Sequence, residues 1–391
     1  MTTFRIVDLW RPSVLVTVLC ILYAYAVVVA YDNPLALVTL GSRYAPDSLT
    51  PYTYSEEGYD GQSVYYIARF GWSAERFLDV PAYRQQRILL PALGALSVSL
   101  TGDVSMLQYA LLGINLVALA GGTLALEQLL SAWKQNRWLA LGYTLSLGVF
   151  GAARLSTTET LAYGLVLVGI LVQQRGNLLI SASLFALAAL AKETTLVFVA
   201  GYGLWYAFKN ELVRGAAFGV VASLPFLMWQ LVLYGQYGSF GIGSGGEMAT
   251  RFELVPFMGI VRILTEGDIR IFVTLLPFLA LFVLLPTLWG LYRVYADVNE
   301  QLAIQRAQRP PSERAGISLW TVLLGVNALL MLFVPFSTYR EILGILRFIV
   351  GLQISLILYA AYKRQRRAMS YSTLWFLTSL FVILSDFGNL N

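Results

Sequence analysis

Apolar stretches of about 20 residues, the length that crosses a hydrocarbon core of about 30 Å, recur from one end of this 391-residue chain to the other. Between them lie short charged junctions. That pattern leaves little room for a soluble core. Only 13% of residues are charged and 58% are hydrophobic, against roughly 25% charged in a soluble domain. Mean hydropathy is +0.66. Alternating segments of about ten residues, the mark of a membrane β-barrel, are absent. The pattern predicts an all-α polytopic membrane protein forming a single integral membrane domain over 1–391.

Spans are predicted at 12–31, 105–126, 138–153, 159–174, 178–191, 194–208, 213–235, 270–292, 317–336, 343–362 and 371–388. The apolar segment 88–100 is too short to span comfortably and is read as a helix lying at the outer interface. Charge decides this. With 88–100 outside, Arg5 and Arg11 share one side with Lys134, Arg137, Arg175, Lys209, Arg214 and Arg293. Arg306, Arg309, Arg314, Lys363, Arg364, Arg366 and Arg367 join them. That side carries +9 and the other −4, which sum to the net +5 of the chain. The asymmetry fits the positive-inside rule and predicts a plasma-membrane protein of about eleven spans with a cytoplasmic N-terminus. The first apolar segment lacks a small-residue cleavage site and is read as an uncleaved span. Residues 32–104 form an extracytoplasmic first loop with interfacial helices, 236–269 an outer glycine-containing loop, and 294–316 a solvated cytoplasmic connector holding Pro310-Pro311. The basic excess follows topology, so it is no sign of nucleic acid.

Two absences narrow the chemistry. Cys20 is the single cysteine and there is no histidine. A disulfide framework, multi-cysteine or histidine-ligated metals, and Ser-His-Asp or Cys-His nucleophilic machinery are excluded. Acid–base or phosphate chemistry falls to Asp, Glu, Lys, Arg and Tyr.

Those residue types gather on the expected outer side. Asp60, flanked by Gly58, Tyr59 and Gly61, reads as a general base or as an Asx-turn. Arg84 and Arg87 sit three apart; guanidinium forks suit phosphate, and they also suit snorkelling to lipid headgroups. Arg154 precedes Ser156-Thr157-Thr158-Glu159, where a threonine caps the next helix and Glu159 complements its dipole or faces a cavity. Lys192-Glu193 interrupts an apolar run without Gly or Pro, either as a functional charge pair at depth or as an outer turn. Arg340, Glu341 and Arg347 flank the tenth span. Arg347 falls inside apolar sequence, where a cation needs an anionic partner: a lipid phosphate, Glu341 or another outer carboxylate. Tyr65, Tyr66 and Tyr83 stack on a sugar or form an interfacial aromatic belt. Gly241-Ile242-Gly243-Ser244-Gly245-Gly246 lacks the Gly-Lys-Ser/Thr ending of a phosphate-binding P-loop and reads as a lid-like loop.

The strings Gly58-Tyr59-Asp60-Gly61-Gln62, Tyr65-Tyr66-Ile67-Ala68-Arg69, Pro81-Ala82-Tyr83-Arg84 and Arg87-Ile88-Leu89-Leu90-Pro91 resemble the first outer loop of bacterial GT-C-type membrane glycosyltransferases. Thr158-Glu159 and Ala191-Lys192-Glu193-Thr194 are similar to positions in a cell-surface-glycopolymer group of that class. The resemblance implies a GT-C-like fold and transfer of a sugar from a polyprenyl-phosphate donor, within a lipid membrane, to a glycan, lipid or protein acceptor on the extracytoplasmic face. It implies inversion at the anomeric carbon and Asp60 as the base. Arg87, Lys192, Arg340 and Arg347 would hold the lipid phosphate. Tyr59, Gln62, Tyr65, Tyr66, Arg84, Arg154, Glu159 and Glu193 would contact substrate. No Asp-x-Asp motif stands in the loop, with Glu56-Glu57 a weak substitute, so neither metal nor cofactor is expected. Two other classes remain open. A transporter or lipid flippase would place charges near mid-membrane, often with internal repeats. A non-catalytic member of a glycopolymer assembly complex is the third.

Overall fold

The computed structural model describes residues 11–246, 249–266, 269–306 and 316–388. Among them the chain is helical, with no strand beyond one isolated bridge between Gly41 and Ser55. Helix α1 (Pro12–Tyr31) opens with proline at its first turn, where no N–H is needed, and stops at Asp32, which takes a left-handed φ of 47°. The stretch that follows folds as short helices: α2 (Asp60–Phe70), α3 (Pro81–Gln85) and the apolar α4 (Leu89–Thr101). The long α5 (Leu107–Ala132) comes next. After a broken segment, α6 (Glu159–Gln174), α7 (Leu178–Ala191), α8 (Leu196–Phe208) and α9 (Leu212–Tyr237) run back and forth. Then come α10 (Met258–Glu266), α11 (Ile269–Leu279), α12 (Leu285–Arg306), α13 (Leu319–Leu332), α14 (Ile342–Phe348), α15 (Val350–Tyr362) and, last, α16 (Leu380–Phe387).

Among the described residues five helical stretches are long and apolar enough to cross a membrane: Pro12–Tyr31, Val104–Ala132, Leu212–Tyr237, Phe272–Ile304 and Arg366–Phe387. The pair α14 and α15, bent by 45°, makes a sixth if it counts as one span. Their outward faces are apolar, with Leu22 and Tyr25 on α1 and Leu227 and Leu231 on α9 exposed, as a lipid-facing helix requires. The chain is therefore all-α and multi-pass by length and composition.

The expected eleven spans are not matched. Helices α6, α7 and α13 are apolar but only 16, 14 and 14 residues long, short of the about 20 a bilayer asks for. The segment 138–153 is no continuous helix. Ser146 is extended, at φ −70° and ψ 151°, and a wide turn over Leu147–Gly151 follows it. The Leu147 amide is satisfied instead by the Thr378 hydroxyl at 3.0 Å. The connector expected at 294–316 is helical as far as Arg306. Arg309, Pro310, Pro311 and Arg314 lie outside the described residues, as does Arg5.

Among the described residues two large apolar cores stand beside two small clusters, around Leu147 and Leu346 and around Ala24 and Leu112. The larger core joins α1 and α5 to α15, with Ile260 and Ile263 from α10 among its members. Helices α5 and α6 approach so closely that a Cβ added to Gly122 would lie 2.8 Å from the Gly164 Cα, the small-residue contact by which apolar helices bring their backbones together. The smaller core gathers Val38, Leu49, Tyr65, Tyr66, Leu78, Leu90 and Leu107 under the region before α5. The polar residues of interest lie where the two cores meet, at the N-terminal end of α6. Arg175, just beyond its other end, marks the opposite side of the bundle.

Candidate functional site

Asp60 is fixed by its neighbours in the chain. It is the first residue of α2, and Tyr59 before it is extended. Gly61 admits no side chain, since a Cβ there would lie 2.1 Å from the Leu155 carbonyl oxygen. Helix α2 is thereby seated against the segment that leads into α6. Gln62 locks the turn: its side-chain oxygen accepts from the Gly41 amide at 3.0 Å and its nitrogen donates to the Glu57 carbonyl at 2.7 Å.

From this seat the Asp60 carboxylate accepts from Arg84 Nη1 at 2.7 Å and from Arg347 Nη2 at 2.6 Å. Arg84 also forks onto Asp79, at 2.7 and 2.9 Å. Arg347 continues the chain of charges to Glu159, 3.4 Å away. Glu159 accepts from Lys192 Nζ at 2.6 Å. Beside them Arg87 grips Glu193 with two bonds, at 3.0 and 2.8 Å. Aromatic faces support the guanidinium groups: Tyr59 lies 4.9 Å from Arg347, and Tyr83 lies 5.6 and 5.1 Å from Arg84 and Arg87. Glu159, Lys192 and Arg347 are buried at 1%, 4% and 7% exposure. Charges so placed persist only when paired.

These groups wall a cavity of about 400 Å³. Asp60, Arg84, Arg87, Glu159, Lys192, Glu193 and Arg347 line one side. Glu341, Ser337, Thr338 and the 242–252 segment, with Arg251, line the other. The wall carries five cations and four carboxylates. Three of the carboxylates are committed to the ion pairs just described. Among the described residues no cation lies within ion-pair distance of Glu341, and Arg251 has no carboxylate partner.

The two unlike carboxyls titrate in opposite directions. Burial pushes Asp60 up, but Arg347 and Arg84 outweigh it and hold the carboxyl well below the ordinary range. Such a carboxylate is a weak base. Glu341 is an exposed residue of the wall; desolvation by the protein around it pushes its carboxyl up, Arg347 opposes this, the Asp60 charge adds to it, and the net shift is upward.

Seven of the residues expected at the site share this cavity: Asp60, Arg84, Arg87, Glu159, Lys192, Glu193 and Arg347. Six others do not line it. Gln62 is spent on the backbone turn. Tyr65 and Tyr66 are buried in the smaller core, where Tyr65 accepts from Arg69 at 2.9 Å. Tyr59 lies behind Arg347. Arg340 stacks on Phe336 at 5.5 Å. Arg154 is buried in an ion pair with Asp386 at 2.6 Å and donates to Thr39 at 3.0 Å. Glu341 and Arg251 gain importance over what their sequence context showed. The one signal for Glu341 was its place six residues before the buried Arg347.

Among the described residues no group of three or more metal-ligating side chains is assembled. No family model, curated protein or solved structure matches the chain.

Proposed function

We propose that this chain is a membrane glycosyltransferase of GT-C type, moving a sugar from a polyprenyl-phosphate donor to an acceptor at the cavity. The single observation that carries the reading is the convergence of Arg84, Arg87, Lys192, Arg251 and Arg347 with four carboxylates on one cavity beside apolar helices. Guanidinium groups recognise phosphate oxygens in pairs and stabilise the charge that develops as a phosphate departs. An apolar groove of about 310 Å³ is lined by Trp72, Ile88, Pro91 and Trp229, Ile88 following Arg87 in the chain, and a prenyl chain would find an apolar wall there. In this arrangement Asp60 aligns Arg84 and Arg347, and an incoming phosphate competes with it for both. The proposed orientation keeps this end of the bundle extracytoplasmic in the plasma membrane, with the acceptor a glycan, lipid or protein.

Mass spectrometry of lipids and glycans from cells lacking the chain tests the reading. A lipid-linked sugar accumulates and a glycan loses that sugar. Unchanged lipid and glycan profiles would discard it. With purified protein, Arg347→Ala weakens binding of farnesyl phosphate, a short prenyl phosphate, more than that of any acceptor. A flippase instead moves the labelled lipid across vesicles without releasing prenyl phosphate.

A further inference from the structure

Transfer to a hydroxyl requires a group to take its proton, and the four carboxylates of the cavity are unequal candidates. Asp60 is held by two arginines at 2.6 and 2.7 Å. Glu159 is held by Lys192 at 2.6 Å with Arg347 at 3.4 Å, and Glu193 by the two-pronged grip of Arg87. Asp60 and Glu193 have both oxygens engaged by cations. Glu159 meets Lys192 and Arg347 through one oxygen, while its other oxygen is buried without a partner, and protonating any of the three would weaken an ion pair. Glu341 faces the same cavity with no cation within ion-pair distance among the described residues. It sits at the turn before α14, and Arg347 lies two turns of chain further on. Its carboxylate and the guanidinium thus reach the cavity from one short segment.

We propose that Glu341 is the proton acceptor of the transfer reaction, with Asp60 a positioning residue for Arg84 and Arg347. The inference rests on the glycosyl-transfer reading. In the step, the acceptor oxygen forms a bond to the anomeric carbon as its proton passes to a Glu341 oxygen. The bond from that carbon to the phosphate oxygen breaks, and its electron pair leaves on the phosphate, which Arg347 and Arg84 receive. The groups facing Glu341 are Tyr59 and Asp60 from the start of α2 and Arg340 and Arg347 from its own segment. Glu341 is exposed and open to an acceptor, and the balance of these groups with local desolvation moves its carboxyl upward, the direction that brings a general base nearer to neutral pH, where proton transfer is most effective.

The experiment uses full-length protein in membranes of cells whose own copy is deleted, with release of prenyl phosphate from the endogenous lipid-linked sugar as the rate. Farnesyl phosphate binding is measured separately. Glu341→Gln lowers the rate by at least about 100-fold at unchanged protein level and unchanged farnesyl phosphate binding. Glu341→Asp restores part of it and moves the acid limb of the pH–rate profile. Glu341→Ala regains activity with added formate. Wild-type rates in Glu341→Gln alongside an inactive Asp60→Asn overturn the assignment and leave the glycosyl-transfer reading standing. Loss of farnesyl phosphate binding in Glu341→Gln, or no formate rescue, makes the residue structural and also overturns it. A deletion that changes no glycan, with no binding of farnesyl phosphate by the wild type, fails the transfer reading itself.

Discussion

Two arginine–aspartate pairs in this molecule are built to different ends. Arg154 and Asp386 meet at 2.6 Å with side chains 2% and 6% exposed. Tyr23 donates to the second Asp386 oxygen at 2.8 Å, and Thr39 accepts from Arg154 at 3.0 Å. Tyr31 adds a bond to the Asp386 carbonyl at 2.9 Å. The node joins α1 to α16, and neither charged residue lines the cavity. Arg347 and Asp60 also meet at 2.6 Å, but the Asp60 side chain is 27% exposed and both residues border the cavity. One pair is closed by protein on every side. The other leaves room for a ligand to exchange with a partner. A short ion-pair distance therefore says little about role; the difference lies in what surrounds it.

The contrast can be broken by substitution. The largest stability loss is expected for Asp386→Ala, which strands a buried cation and costs about 3–5 kcal/mol; thermal unfolding in detergent measures it. Replacing both partners, Arg154→Met with Asp386→Leu, recovers most of that loss, because the ion pair itself repays its own desolvation poorly. At the open pair, Asp60→Asn lowers transfer by about 100-fold or more while costing less stability than Asp386→Ala, since cavity water solvates the arginines left behind. Equal stability losses at the two nodes would erase the distinction. Gly61→Ala, which meets a carbonyl oxygen at 2.1 Å, costs about 1–3 kcal/mol and lowers activity by displacing Asp60.

Smaller effects come from pH. The folded Asp60 carboxyl lies below its ordinary value of about 3.9, so its stabilising contribution is complete above pH ~4 and is lost as pH falls toward the lowered value. The unfolding difference between wild type and Asp60→Asn should hold steady down to that pH and then shrink. Glu341 has the opposite sign. Its raised carboxyl favours the protonated fold, so the ionised residue weakens the structure as pH rises through the raised value. Glu341→Gln should therefore unfold at a slightly higher temperature at neutral pH, as expected where a group is kept for activity.

The sequence made the long apolar helices legible, because 12–31, 105–126, 213–235, 270–292 and 371–388 each carry enough uninterrupted apolar length to read alone. It failed at 138–153, where the break is set by Ser146 and by a hydroxyl from Thr378, a contact no local pattern announces. Within the site, clustering charges and the rarity of Lys192 and Arg347 in apolar sequence were sufficient to find most of the cavity wall. Arg154 misled for the reason that Asp386, its partner, lies near the far end of the chain. Tyr65 and Tyr66 misled because loop aromatics serve equally to bind a ring or to fill a small core, and here they fill one. In sequence Glu341 is one of three candidate partners for Arg347, which pairs instead with Asp60 and Glu159. Only the folded arrangement shows that, among the described residues, Glu341 has no cation of its own.

The segment from Glu341 to Phe348 ends at the 45° elbow that joins α14 to α15. Because that short arm carries the anionic Glu341 at one end and the cationic Arg347 near the other, a swing at the elbow would move both together. The spacing between a ligand's anionic head and its hydroxyl partner would then be gauged by a fixed ruler, however the surrounding helices breathe.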